Sequence, residues 1–256
     1  MMKWIRLFAI FLNCFAAVFC NAAPALRHKK LLPLDPKAVN ETIKELKQTR
    51  VECALGFGLS TKKDRKTETK EGRCYFRKNS DGAYLLLKFG DQVFLSFGPP
   101  NGEIFCSDPS KKITPNDPVQ SDHLLCFSDI LMLFLEWDSY EYLHPERVQG
   151  RNTHIFRFKT TGQVVEIAYD PVYGIILQVK YFDEKGKLLR IFNLLDLKKV
   201  QDTWFIKSIE VRDVPSNVTT QLMVKEVALE QPIPTDIFDK NALGKPFVDR
   251  LVYTSL

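Results

Sequence analysis

From Val51 onward apolar and polar residues alternate with a period of two, and that rhythm predicts strands. Val51, Cys53, Leu55, Phe57 and Leu59 share one face of a first strand. The charged stretch Lys62 to Lys70 reads as its solvated hairpin tip, and Arg73 to Lys78 as the returning strand. Ala83 to Phe89, Val93 to Phe97 and Glu103 to Cys106 follow, separated by the turn signals Asp81-Gly82, Gly90-Asp91 and Pro100-Asn101-Gly102. The second half repeats the pattern at His154 to Lys159, Gln163 to Tyr169, Ile175 to Phe182, Lys187 to Leu194, Trp204 to Arg212 and Thr219 to Leu229. Thr161-Gly162, Asp170-Pro171, Asp183 to Gly186, Gln201-Asp202 and Pro215 to Asn217 supply the reversals.

Two stretches break the rhythm. Asp35 before Pro36 is a helix start, because the carboxylate caps first-turn amides and Pro fits the first helical position; Val39, Ile43 and Leu46 then recur at helical spacing to about Arg50. Leu124 to Trp137 is a long apolar run without alternation, predicted as a second helix capped by Ser121 or Asp122, after an exposed loop from Asp108 to Pro118. The expected fold is mainly β (α+β): a strongly curved antiparallel sheet forming a half-open barrel lidded by helices.

The N-terminus follows neither pattern. Lys3 and Arg6 precede an apolar run from Leu7 to Phe19 and then small residues, the organisation of a secretory signal peptide over residues 1–22, with Cys20-Asn21-Ala22 as the cleavage site. The run is too short to span a bilayer. Bulky Phe19 disfavours lipid modification at Cys20. Removal of Lys3 and Arg6, with no acid lost, lowers the formal charge from +5 to +3. That modest excess does not build the basic field that nucleic-acid binding needs. Residues 23–256 carry no Gly/Ser or Pro-rich linker and are expected to form one domain.

Export makes disulfides permissible among Cys53, Cys74, Cys106 and Cys126, preferably as Cys53 with Cys74 and Cys106 with Cys126; four buried thiols acting as apolar fillers are the alternative. His123 and Cys126 alone do not make a zinc site. No metalloprotease, nucleophile-elbow, phosphate-loop or dinucleotide signature is present, and His28, His123, His144 and His154 fall on different elements. Glu136, Asp138 and Glu141 read as a solvated acidic helix end. No enzyme activity, metal or cofactor is expected.

The chain holds 19 Phe, and Tyr84-Leu85-Leu86-Leu87, Val93-Phe94-Leu95 and Ile175-Ile176-Leu177 present bulk to both strand faces. Such strands need cover on two sides, from helices or from an apolar guest. A solid core is the plainer alternative.

Tyr181-Phe182-Asp183-Glu184-Lys185-Gly186-Lys187-Leu188-Leu189 resembles the exposed hairpin of the outer-membrane lipoprotein-sorting family, relatives of the periplasmic carrier LolA. Phe127 to Trp137, Val148-Gln149-Gly150-Arg151, Trp204 and Ile233-Pro234-Thr235-Asp236-Ile237-Phe238 resemble further pieces in the same order, over most of residues 120 to 245. The resemblance implies a LolA-like lipid-binding domain, an interior that holds lipid or lipoprotein acyl chains, transport through the periplasm and no enzymatic activity. It also implies a functional arginine after an early strand, for which Arg77 is the nearest candidate. Envelope membrane proteins that load or accept cargo are the implied partners of a monomeric carrier. Face alternation then selects Leu55, Phe57, Phe76, Leu85, Leu87, Phe94, Phe97, Leu131, Leu135 and Trp137 as the acyl-cavity lining. The competing expectation is a structural or protein-docking envelope protein with a packed interior.

Overall fold

The computed structural model describes residues 16–17, 31–48, 51–63, 66–79, 82–98, 103–108, 110–120, 123–200, 203–229, 231–243, 245 and 249–256. The signal-peptide assignment lies almost wholly outside the described residues; within it, only the short β1 (Ala16–Ala17) is placed, bridged to Trp204 and Phe205.

The strands are β2 (Val51–Lys63), β3 (Lys66–Asn79), β4 (Gly82–Phe89), β5 (Gln92–Gly98), β6 (Ile104–Cys106), β7 (Ser139–Val148), β8 (Arg151–Thr160), β9 (Gln163–Asp170), β10 (Ile175–Asp183), β11 (Leu188–Val200), β12 (Thr203–Asp213), β13 (Val218–Ala228) and β14 (Tyr253–Ser255). Among the described residues they make one antiparallel sheet in the order β6-β5-β4-β3-β2-β13-β12-β11-β10-β9-β8-β7, with β1 and β14 pairing at its side. The edges β6 and β7 do not pair with each other, so the sheet stays open. Register shifts in β7, β10, β11 and β13 add the local twist that curls it.

The α1 helix (Pro36–Gln48) begins where the sequence places it: the Ala38 amide donates to Asp35 Oδ1 at 2.8 Å. Ile43 and Leu46 bury its apolar stripe against the inner face of the sheet. Three expectations are corrected. The stretch Lys62 to Lys70 is not a broad tip, because the β2–β3 ladder continues through Lys62–Thr67 to Lys63–Lys66. Ser139–Val148, left unassigned by the alternation, is a strand, so Glu141 lies on it and not at a helix end; as the sheet's edge it tolerates Pro145, which has no amide to donate. Leu124 to Trp137 is not one helix: a single α turn, α2 (Phe127–Ile130), is followed by Met132 in a left-handed conformation and a 3-10 turn at Leu133–Glu136.

The broken alternation does mark strands buried on both faces. Leu85 and Leu87 join the inner core, while Leu86, with Tyr75 and Leu95, joins an outer one. The outer core is closed by the chain's own C-terminal segment through Ile233, Phe238, Leu251 and Tyr253. Neither expected cysteine pairing is formed here: Cys53, Cys74, Cys106 and Cys126 are free thiols, the first three packed with the inner core, while buried Cys126 donates to the Leu124 carbonyl at 3.7 Å and accepts from Arg190 at 3.4 Å.

Candidate functional site: an inner face under an irregular cover

The inner face of β2 to β5 and β8 to β13 is a continuous apolar surface, and residues 123–137 lie across it. Leu55, Phe57, Phe76, Leu85, Leu87 and Phe94 all reach this core from the sheet, Leu135 reaches it from the cover, and Leu131 and Trp137 pack at its margin. The side chain of Phe97 lies outside the described residues. Arg77 points the other way: its guanidinium binds Glu52 at 2.7 Å and the Ile233 carbonyl, and stands 5.3 Å from the Phe238 ring on the outer face. The structure therefore gathers the described apolar members of the expected lining and separates Arg77 from them.

Aromatic edges set the packing. Phe57 meets Phe89 at a ring separation of 5.5 Å, and Gly72 beneath them leaves no space for a Cβ, which would lie 2.9 Å from both rings. From the cover, Phe127 meets Phe94 at 5.3 Å and Phe134 meets Phe158 at 5.6 Å. Met132, Phe127, Phe134 and Leu135 fill the concavity. The void left beside Met132, between Phe192, Leu194, Ile206 and Ile209, measures about 20 Å³, the space of one water. Among the described residues, the cover's own side chains take much of the space that the expected hollow would need.

What holds the cover down is polar. Asp129, its side chain fully buried, accepts from Arg190 Nη2 at 2.8 Å and from the Cys126 amide at 2.8 Å. Arg190 also donates to the Leu124 carbonyl at 3.1 Å and stacks over Tyr181 at 4.8 Å, its cross-strand partner. Burial pushes the Asp129 carboxyl above its ordinary range against the opposing pull of Arg190. Burial works against the Arg190 charge too, but Asp129 and Tyr181 outweigh it and keep the guanidinium protonated. Burial, with Asp129 adding to it, lifts the Cys126 thiol to about 11. At the cover's start, the His123 ring bonds to Thr61, Thr61 bonds to Thr220 at 2.6 Å, and the Leu124 amide donates to Thr220 Oγ1 at 3.1 Å. At its end, Lys78 meets Glu136 at 3.2 Å.

Sequence reasoning missed Asp129, Arg190, Tyr181 and Met132. The available signal was Asp129 itself, a carboxylate inside an apolar run, which must be partnered if it is buried. Glu141 is engaged by Arg157 and Lys159 in surface ion pairs. Among the described residues no group of His, Cys, Asp and Glu is arranged to hold a metal ion, and no helix is long and apolar enough to cross a membrane.

A family profile described as an uncharacterized protein matches residues 122–245. No curated protein matches the sequence. Three solved structures are similar in fold. A domain from Vibrio parahaemolyticus, reported as a candidate outer membrane lipoprotein-sorting protein, has a TM-score of 0.66 at 16% identity, over 76% of this chain and 92% of that one. A DUF1329 family protein from Desulfovibrio piger gives 0.65 at 16% identity, over 82% and 100%. A LolA superfamily protein from Nitrosomonas europaea gives 0.61 at 14% identity, over 82% and 100%. The chain has a LolA-like fold.

Proposed function

We propose that the protein is an exported carrier in the cell envelope that shelters acyl chains of a lipid or lipoprotein against the inner face of its sheet, with residues 123–137 as the displaceable cover. Residues 1–22 direct export, residues 23–256 act as one lipid-binding domain and a monomer, and envelope membrane proteins load or accept the cargo. No catalytic step or cofactor takes part.

The observation that carries this reading is the makeup of the cover. It is an irregular segment whose contact with the sheet is apolar side chains, fastened by a few polar points around Asp129, His123 and Glu136. Lifting Phe127, Met132, Phe134 and Leu135 into water costs about 1.5–3 kcal/mol each, and an alkyl chain replacing them returns about 0.8 kcal/mol per methylene. Roughly ten methylenes therefore balance the exchange, which is the length scale of a lipid acyl chain. The fold shared with the lipoprotein-sorting domain and the LolA superfamily protein supports the same reading.

The apolar side chains that the cover packs against the sheet also support a second reading, an envelope protein with a solid interior that docks other proteins. Native mass spectrometry after mild purification, with titration of a fluorescent fatty acid, separates the two. Co-purifying lipid or saturable uptake supports the carrier; consistently lipid-free protein that ignores the probe sinks it.

A further inference from the structure

At the end of the sheet remote from the Asp129–Arg190 pair, β10 and β11 part company. Their ladder ends at the Gln178–Asn193 pair, although β10 extends back to Ile175 and β11 forward to Val200. Both strands are irregular there: Leu177 is skipped in the pairing of β10 with β9, and Leu195 is skipped in the pairing of β11 with β12. Leu177 and Leu194 consequently face each other across a slot instead of a ladder. The Leu177 carbonyl freed by the parting accepts from Gln149 Nε2 at 3.4 Å. Gln149 and Gly150, with φ of 49° and 77°, form the tight β7–β8 turn that frames the slot from outside.

Outside the slot lies a depression of about 300 Å³ lined by Arg151, Tyr173, Leu195, Leu197 and Trp204, with Leu177 and Leu194 as its floor. Inside the slot the same two leucines border the small void beside Met132. Leu177 and Leu194 thus border both the outer depression and the inner void. The outer rim is amphiphilic. Leu195 is 49% exposed, an unusual position for a large apolar side chain, and it lines the depression together with Trp204. Gln149, Asp196 and Arg151 supply polar groups, and the Arg151 guanidinium is held 3.3 Å from Asp170 and 4.1 Å from the Tyr173 ring. Met132 closes the inside with a flexible side chain on a left-handed backbone, φ 44° and ψ 49°, that an L-residue seldom adopts.

We propose that this depression is the mouth of the acyl site: a single-chain amphiphile lays its polar head beside Gln149, Arg151 and Trp204 and threads one unbranched alkyl chain between Leu177 and Leu194 into the place of Met132. The proposal rests on the carrier reading and adds to it a location, a direction of insertion and a ligand class. One slot between two strands passes one chain, which favours fatty acids and monoacyl groups over a two-chain phospholipid entering whole.

The test uses residues 23–256 with Trp137→Phe; Trp4 leaves with the signal peptide, so Trp204 is the sole tryptophan of the original 3. Stearate carrying a nitroxide near its head (5-doxyl) or near its tail (16-doxyl) is titrated, and binding is measured in parallel by displacement of a fluorescent fatty acid. Trp204 emission is expected to be quenched more by the 5-doxyl probe. Each two carbons removed from a saturated fatty acid are expected to weaken binding roughly tenfold. Leu195→Lys, a change at an exposed position, is expected to weaken stearate binding at least tenfold with an unchanged near-ultraviolet circular dichroism spectrum. Stearate binding with equal or absent quenching by the two probes, or with full affinity in folded Leu195→Lys, places the access route elsewhere and leaves the carrier standing. Absence of binding by every fatty acid overturns both. Should Leu195→Lys fail to fold, the probe comparison, made with an unaltered mouth, decides alone.

Discussion

Asp129 and Arg190 meet at 2.8 Å across 61 residues of sequence, joining the one-turn helix of the cover to the inner face of β11. A buried pair of this kind is costly to half-remove, because the survivor is left charged in an apolar surround. Arg190→Met is expected to cost about 3–5 kcal/mol, whereas Asp129→Leu combined with Arg190→Met should recover most of that loss. Guanidinium unfolding of the two variants checks this. Equal stabilities for the single and double replacements count against the pair as the cover's fastening.

The protein should lose stability on mild acidification through His154. The ring is 3% exposed, hydrogen-bonds to the Tyr142 hydroxyl at 3.2 Å, and is held by burial below its ordinary value of 6.5. The unfolded chain therefore takes up the proton first. The contribution of neutral His154 is complete above 6.5 and is lost as pH falls from there through the depressed folded value. Thermal midpoints between pH 7.5 and 5 are expected to fall more steeply in the wild type than in His154→Phe. Parallel curves would remove His154 from the account.

Arg77 serves the outer face. Its bonds to Glu52 and the Ile233 carbonyl tie the C-terminal segment down, and Phe238 lies under its guanidinium. Arg77→Leu is expected to lower stability by about 1.5–3 kcal/mol, the worth of charge-assisted hydrogen bonds, without changing fatty-acid affinity. Phe238→Ala, which empties a buried aromatic site, should cost about 3–5 kcal/mol. A variant at Arg77 with native stability and weakened lipid binding would give the residue a part in the site that its placement denies.

Free thiols make a chemical prediction. Burial pushes Cys74 well up, pushes Cys53 up with Cys74 and Glu52 adding to it, and lifts Cys126 to about 11. Without reductant, Cys53, Cys74 and Cys126 are expected to ignore Ellman's reagent in the native protein, and all four positions, Cys106 included, to alkylate after denaturation. A Cys53–Cys74 or Cys106–Cys126 peptide in the digest of non-reduced protein reverses the assignment.

Many strands were readable because large apolar residues alternate with smaller or polar ones, as in Val51 to Leu59 or Gln163 to Tyr169. Asp35 announced α1 by its capping chemistry. What alternation could not reveal is which partner covers the second face of Leu85-Leu86-Leu87. An apolar guest and the chain's own Ile233 and Phe238 leave the same trace in the strand, and here the C-terminal segment takes the outer side. Likewise Leu124 to Trp137 reads as a helix because apolar content hides the break at Met132, which takes a left-handed backbone between two short turns. The Asp129–Arg190 contact is long-range and leaves no periodic mark. Ser139–Val148 escaped notice because an edge strand with Pro145 carries little apolar pattern.

Met132 is where stability and uptake are expected to separate. Its backbone conformation costs an L-residue about 1–2 kcal/mol and costs glycine nearly nothing. Its side chain, 1% exposed, fills the centre of the concavity, and removal of such a side chain costs about 2–5 kcal/mol. Met132→Gly therefore loses the larger amount and regains the smaller, for a net destabilisation of about 0–4 kcal/mol. The same change enlarges the void beside Phe192 and Leu194 without adding any polar group. If the cover is displaced in kind by an alkyl chain, Met132→Gly should bind a fluorescent fatty acid faster and more tightly than the wild type, while Met132→Ala, which keeps the strained backbone, should be the less stable of the two. Stopped-flow uptake and chemical unfolding measure the two effects independently. A destabilised Met132→Gly with unchanged uptake would mean that the side chain packs the core without standing in for cargo.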